Sequence, residues 1–249
     1  MKQVFSEEYR ITSYLVNLRQ RAGLYAILNL IQDVGWQHAV DIGFKFSEEG
    51  FAWVFTRQKL RMKRWPNWNE VVRLETWLRP VTKSPFVFRD YELFVGQEKI
   101  GECTSSFTVI DTHTRKLAEP DWSRFEQVWR RDSALSLEPG KIPADKSAGD
   151  LTAFEVRNSD LDLNNHVNNT KYAQWILDAL SVQTLKSVDL YEYEINFLAE
   201  TKKGDVITVQ GHPDTAQQSP GEGVQFQGLR KADGKVVFTA RMGLEPQDW

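Results

Sequence analysis

A single cysteine, Cys103, among 249 residues leaves no partner for an internal disulfide, and the start Met1-Lys2-Gln3-Val4-Phe5-Ser6-Glu7-Glu8 has no apolar signal region. Both absences predict a reducing, cytoplasmic setting. No run approaches the roughly 18 consecutive apolar residues of a membrane span, because even the most apolar stretch is interrupted by Asn29, Gln32 and Asp33. Neither sign of charge is in large excess. The net is −3, and a nucleic-acid-binding domain is normally strongly basic over one face, so nucleic acid is not an expected partner. His38, His113 and His212 have no ligand spacing with each other or with carboxylates, so no metal is expected, and no cofactor either.

What the chain does contain is one plan written twice. Leu24, Ile27, Leu28, Ile31 and Val34 recur at helical spacing, with Gly43 just past the predicted end. Stretches with strand character follow at 51–62, 70–78, 86–95 and 99–110, separated by Trp65-Pro66-Asn67, Pro80 and Gly96-Gln97. The second half repeats this order. Ala173, Ile176, Leu177 and Leu180 form a helical stripe, and strand-like stretches follow at 190–198, 205–211, 224–229 and 235–244. Asn69-Glu70-Val71-Val72-Arg73-Leu74 parallels Gly204-Asp205-Val206-Ile207-Thr208-Val209, the self-similarity of a duplication.

Residues 133–150 are rich in Pro, Gly, Ser and Lys and lack periodicity, as a linker does. The predicted organisation is therefore an N-terminal domain over 1–132, a linker over 133–150 and a C-terminal domain over 151–249. Two long helices, each wrapped by an antiparallel sheet and with the sheets joined edge to edge, make a double hotdog of the α+β class.

The stretch Arg157 to Tyr172 carries the chemistry. In an extended conformation Asp160, Asp162, Asn164 and His166 share one side, with Leu161 and Leu163 as apolar anchors on the other. The helix that follows begins, around Val167 to Asn169, with N–H groups that lack intrahelical partners, and of these Val167 and Asn168 are the expected donors to an oxyanion. Thioester hydrolysis needs a positioned water, a proton acceptor and such donors. Each residue taken alone is more commonly a helix cap. The start imitates a calcium loop, but Asn165 replaces the turn glycine and Lys171 the closing glutamate.

Asp160-Leu161-Asp162-Leu163-Asn164-Asn165-His166-Val167-Asn168-Asn169-Thr170-Lys171-Tyr172 resembles the D-L-D-x-N-x-H-V-N-N-x-K-Y signature of plant and bacterial acyl-ACP thioesterases. Trp53-Val54-Phe55-Thr56-Arg57, Pro66-Asn67-Trp68-Asn69-Glu70, Leu74-Glu75-Thr76-Trp77 and Thr114-Arg115-Lys116-Leu117 follow in family order, so the likeness covers most of residues 5–210. The resemblance implies hydrolysis of fatty acyl-acyl carrier protein thioesters, with catalytic Asp162, Asn164 and His166. On the next strand the family has E-Y-R-R-E-C, where this chain has Glu192-Tyr193-Glu194-Ile195-Asn196-Phe197. Phenylalanine at the cysteine position favours direct attack by water. Asp162 or His166 is then the base, with Asn164 and Asn196 orienting water or carbonyl.

The family's first domain is associated with chain length, which puts Trp36, Phe44, Phe46 and Trp53 forward as acyl-lining residues, although aromatic residues at such spacing are also ordinary core. Arg57, Lys59, Arg61 and Lys63 alternate along one strand face. That face is either plainly solvated or a docking stripe for an acidic acyl carrier protein. An acyl-CoA thioesterase, an enoyl-thioester hydratase and a non-catalytic acyl-thioester regulator are the competing functions, and a homodimer is compatible with each.

Overall fold

The helical stripe that begins at Leu24 is realised as α1 (Leu24–Asp41) in the computed structural model, which describes residues 2–44, 49–82, 84–212 and 223–246. Its apolar face, Leu24, Ile27, Leu28, Ile31 and Val34, is buried, and Gly43 just beyond it has φ of 74°, the left-handed conformation glycine adopts without a steric penalty. The chain divides into two compact units, Met1–Pro139 and Gly140–Trp249. This division falls within the segment predicted as a linker.

In the first unit β1 (Phe5–Arg10), β2 (Phe51–Met62), β3 (Val71–Leu78), β4 (Val87–Val95) and β5 (Glu98–Asp111) form an antiparallel sheet in the order β1-β3-β4-β5-β2. α1 lies close on this sheet. A Cβ at Gly35 would come within 2.8 Å of the Tyr91 hydroxyl of β4, so glycine here permits the approach at the cost it carries inside a helix. One turn on, His38 is fully buried, and its Nδ1 lies 2.7 Å from Nη1 of the buried Arg89. Burial, assisted by the Arg89 charge, depresses the imidazole pKa to about 3. The ring is therefore neutral near pH 7 and Nδ1 accepts from the guanidinium, which can only donate.

In the second unit β6 (Gly149–Glu155) precedes the helix α2 (Asn169–Asp178). A second short helix, α3 (Val182–Ser187), leads into β7 (Val188–Phe197), and β8 (Val206–Gly211), β9 (Val224–Arg230) and β10 (Lys235–Pro246) complete the antiparallel order β7-β10-β9-β8-β6. Two expectations need correction. The apolar stripe reaching Leu180 is not one long helix, because Ala179 closes α2 and the Ser181 hydroxyl caps α3 by accepting from Thr184 N. Strands β1 and β6 were not foreseen, since neither shows clean alternation in sequence.

The buried face of α2 presents Tyr172, whose ring packs edge-on against Trp175, Phe197 and Phe238. Phe238 in turn lies across Gly228, where a Cβ would meet its ring at 2.1 Å. The ring thus occupies the space that only glycine leaves on the neighbouring strand. These contacts define the double hotdog plan, a helix embraced by an antiparallel sheet in each unit. No helix among the described residues is long and apolar enough to cross a membrane.

The other face of the second sheet carries a polar row in register: Asn196 opposite Thr239, Thr239 opposite Gln227, Gln227 opposite Gln210, and Gln210 opposite Asp150. Residues 140–145 run across this row as a strap. Thr239 Oγ1 donates to Ile142 O at 2.9 Å, Gln227 exchanges two bonds with the Asp145 backbone, and Asn196 binds Gly140 and Ile142.

Candidate active site

The polar stretch before α2 is a tight loop, not the extended row expected. Asn158–Asp160 forms a 3-10 turn, Leu161 and Val167 bridge in antiparallel fashion, and the five residues between them are folded back, with Asn165 at φ of 60°. Asp162 organises this loop. Its N–H donates to His166 O at 2.8 Å, and its Oδ1 accepts from the N–H groups of Asn164 at 2.8 Å and His166 at 3.2 Å. Local side-chain bonds of this kind compete with extended structure and here defeat it. Leu163 is consequently 91 % exposed instead of anchoring the loop, a task that falls to the half-buried Leu161 and the buried Val167.

Asp160 is a structural cap. Its Oδ2 accepts from Arg157 N at 2.8 Å, and Lys171 Nζ lies 3.7 Å from its Oδ1. Asp162, by contrast, retains Oδ2 without a protein partner among the described residues, and the Asn164 amide at the loop tip is likewise uncommitted. His166 is half-buried. The backbone bond between Asp162 and His166 holds acid and imidazole at the two ends of one loop.

The expected oxyanion donors are not available. Val167 N donates to Thr201 O at 3.1 Å, and Asn168 N donates to Asp160 O at 2.8 Å. Both are consumed in fixing the loop to its surroundings. Asn168 instead caps α2, its Oδ1 accepting from Thr170 N at 3.0 Å. The first backbone donor without an acceptor among the described residues is Asn169 N, the opening residue of α2, where the helix dipole also favours negative charge.

Asn196 is also placed differently from expectation. Phe197 points to Tyr172 on α2, so by alternation along β7 Asn196 faces the opposite side. There its Oδ1 accepts from Ile142 N and its Nδ2 donates to Gly140 O, both at 2.9 Å. With both ends occupied by the strap, Asn196 cannot orient water beside α2. Sequence reasoning missed Glu200, whose Oε2 lies 3.6 Å from His166 Nε2. The only sign of it in the sequence was an acid shortly after the family's E-Y-R-R-E-C positions.

The candidate acyl-lining residues separate. Trp36 is 63 % exposed on α1 and lines nothing inside. Phe44 stacks on Phe125 with centroids 4.1 Å apart, and Trp53 meets Phe44, Phe107 and Trp122 edge-on, in a cluster built on Ile42, Leu78, Val87, Val109 and Val128. Phe46 lies outside the described residues. The basic stripe does not form a solvated face. Lys59 is buried, Arg61 half-buried, and Arg57 sits over the Phe86 ring and donates to Pro139 O, because the chain around Pro139 covers this part of β2. Lys63 alone of the four is exposed.

A second acid, imidazole and hydroxyl occur together at Asp145, His212 and Ser147, but they do not form a nucleophilic triad. The same nitrogen, Nε2, faces both Asp145 Oδ2 at 2.8 Å and Ser147 Oγ at 3.5 Å, and Ser147 donates its proton to Asp145. A triad needs the acid on one ring nitrogen and the nucleophile on the other. The grouping instead stabilises the carboxylate, holding the Asp145 pKa down to about 2, chiefly through the Ser147 hydroxyl.

The chain resembles known proteins along most of its length. Residues 2–121 match the acyl-ACP thioesterase N-terminal domain, and residues 144–242 match the C-terminal domain. An oleoyl-acyl carrier protein thioesterase of Coriandrum sativum is 27% identical over 241 residues, covering 86% of this chain and 64% of that protein. A dodecanoyl-[acyl-carrier-protein] hydrolase of Cinnamomum camphora is 29% identical over 224 residues, covering 82% of this chain and 58% of its own length. The chain thus spans somewhat less than two thirds of these curated relatives. Among solved structures, an acyl-ACP thioesterase from Bacteroides thetaiotaomicron superposes with a TM-score of 0.87 at 21% identity, over 98% of both chains. The 12:0-ACP thioesterase of Umbellularia californica gives 0.87 at 22%, over 99% of both. At such identities these two structures establish the fold.

Proposed function

Because the chain belongs to the acyl-ACP thioesterase family, we propose that it hydrolyses fatty acyl thioesters of acyl carrier protein to free fatty acid and carrier. The observation that supports this reading is the segment leading into α2, which within residues 162–169 carries the His166 imidazole and, without partners among the described residues, Asp162 Oδ2 and Asn169 N–H. His166 takes a proton from a water held by Asp162 and Asn164. The water oxygen attacks the thioester carbon, and the carbonyl oxygen gathers charge beside Asn169 N–H at the helix terminus. The carbon–sulfur bond then breaks, and the carrier thiolate recovers the proton from His166.

Direct attack by water fits the side chains present. Phe197, which the resemblance sets at the family's cysteine position, cannot form an acyl-enzyme, and its ring is packed against Tyr172. Cys103 is fully buried, which raises its thiol pKa and keeps it protonated. One buried thiol also suits a reducing, cytoplasmic setting. Phe44 and Trp53 are the aromatic residues we assign to the acyl chain, on the strength of their cluster in the first unit.

The deciding experiment follows free thiol release from matched acyl-acyl carrier protein and acyl-CoA substrates. Hydrolysis preferring the carrier-bound substrate, and lost in Asp162→Asn and His166→Ala, is expected. Turnover of acyl-CoA alone, or none of either, overturns the assignment.

A further inference from the structure

Thr201, past the end of β7, holds residues 167–172 at both ends. Its carbonyl oxygen accepts from Val167 N at 3.1 Å, and its Oγ1 lies 2.6 Å from the Tyr172 hydroxyl. Between these two ties lie Asn168, which caps α2, and Asn169, whose N–H is the donor proposed for the oxyanion. Thr201, Val167 and Tyr172 are all buried, so both ties are shielded from water. Their anchors are fixed in turn. The Tyr172 ring is packed edge-on against Trp175, Phe197 and Phe238. The backbone around Thr201 is pinned by Leu198 N and Ala199 N, which donate to Val237 O, by Arg230 Nη1, which donates to Glu200 O, and by Lys202 N, which donates to Asp205 Oδ2. Burial pushes the Tyr172 phenol pKa up to about 12, so the tie to Thr201 joins two hydroxyls throughout the neutral range.

We infer that Thr201 is the positioning residue for the oxyanion donor: with its carbonyl on Val167 and its hydroxyl on Tyr172, it sets the first turn of α2 so that Asn169 N–H faces the developing negative charge. This deepens the proposed reaction and rests on Asn169 N–H being its donor. Such a donor is effective only when aimed, at about 2.7–3.1 Å from the place the oxyanion will occupy, and a displacement of about 1 Å can cost two orders of magnitude in rate. The carbonyl tie is backbone and persists with any side chain at position 201. The hydroxyl tie is the part that the side chains decide. Filling the space does not require it, because valine has nearly the shape of threonine and phenylalanine that of tyrosine. Replacing both partners of a buried hydrogen bond by apolar groups of the same shape is close to neutral for stability. What only the bond supplies is direction, a fixed place for the helix start relative to the backbone at Thr201.

The test uses the full chain with Thr201→Val, Tyr172→Phe, both together, and Thr201→Ser, which keeps the hydroxyl. Each of the first two strands one buried hydroxyl, whereas the double variant strands none and keeps the fold. In steady state with acyl-acyl carrier protein, the double variant should lower kcat roughly 10- to 100-fold with KM little changed and the shape of the pH profile preserved, as a displaced donor requires. Thr201→Ser should recover most of the rate. Two unreactive analogues separate aim from packing. A trifluoromethyl ketone, which becomes tetrahedral on adding water, should bind the double variant more weakly by a similar factor, whereas a thioether lacking the carbonyl should bind within about twofold of wild type. Wild-type kcat in the double variant, or equal weakening of both analogues, overturns the inference. Undiminished kcat in Asn169→Pro would instead remove the donor itself, whatever the Thr201 variants do, so the two failures are distinguishable.

Discussion

The Asn196 side chain is bound at both ends by a single crossing segment, accepting from Ile142 N and donating to Gly140 O, each at 2.9 Å. It is 2 % exposed, and of its two partners Ile142 is buried whereas Gly140 is exposed. Asn196→Ala leaves one buried backbone group, Ile142 N, unpaired and should cost about 1–3 kcal/mol by denaturant unfolding. Turnover per folded molecule should stay within about twofold of wild type, because Asn196 faces away from α2. A hundredfold loss of kcat without loss of stability would restore Asn196 to the reaction.

Asp162 binds the loop through Oδ1, and the proposed reaction assigns its other oxygen to the water, so substitutions can separate the two roles. Asp162→Asn keeps an oxygen that can accept from Asn164 and His166 N–H, whereas Asp162→Ala does not. Both should lower kcat/KM at least ~100-fold, since both remove the group held on the water. Only Asp162→Ala should also raise amide hydrogen exchange at Asn164 and His166. Equal exchange in the two variants would show that the loop does not depend on this carboxylate.

Asn169 offers an unusually clean test of the oxyanion donor. It is the first residue of α2, a position where proline is well accepted, and the preceding Asn168 has φ of −59° and ψ of 131°, the extended conformation a following proline demands. Asn169→Pro therefore deletes one N–H while leaving the helix its geometry. The expected result is a far-ultraviolet spectrum like wild type and a kcat reduced by about 10²–10³, as for loss of one such donor elsewhere. Undiminished kcat would move the oxyanion away from this terminus.

His38 makes stability depend on pH in a defined window. Its folded pKa is depressed from 6.5 to about 3, so between those values the unfolded chain binds a proton that the folded chain does not. Stability contributed by the neutral ring is fully present above pH 6.5 and is lost as pH falls toward 3, by up to about 1.4 kcal/mol per unit. Urea unfolding across this range should show the slope, and His38→Gln should flatten it. An identical slope in both proteins would assign the dependence to other groups.

The repeated helix-and-strand plan was legible because burial on one face imposes periodicity, and β2, β3, β4, β8 and β9 fall within a residue or so of their predicted bounds. The site was legible as a set of residue types and not as a shape. Asp162 and His166 stand out as candidates by residue type, but a period-two reading of Asp160 to His166 could not reveal that Asp162 folds the segment on itself or that the loop consumes Val167 N and Asn168 N. Glu200 was hidden for a different reason, since its approach to His166 depends on a backbone bond between Val167 and Thr201, far apart in sequence. Arg57 and Lys59 looked like a solvated stripe because alternation identifies a face without saying what covers it.

Gly140 to Asp145 has the composition of slack rope, yet it is tied down knot by knot across four strands by Asn196, Thr239 and Gln227, with Gln210 buttressing the last tie. An autonomous C-terminal half must therefore begin by Gly140. Trimmed to residue 151, where composition alone would place the start, it would bare a seam of amide and hydroxyl groups shaped to grip a missing peptide.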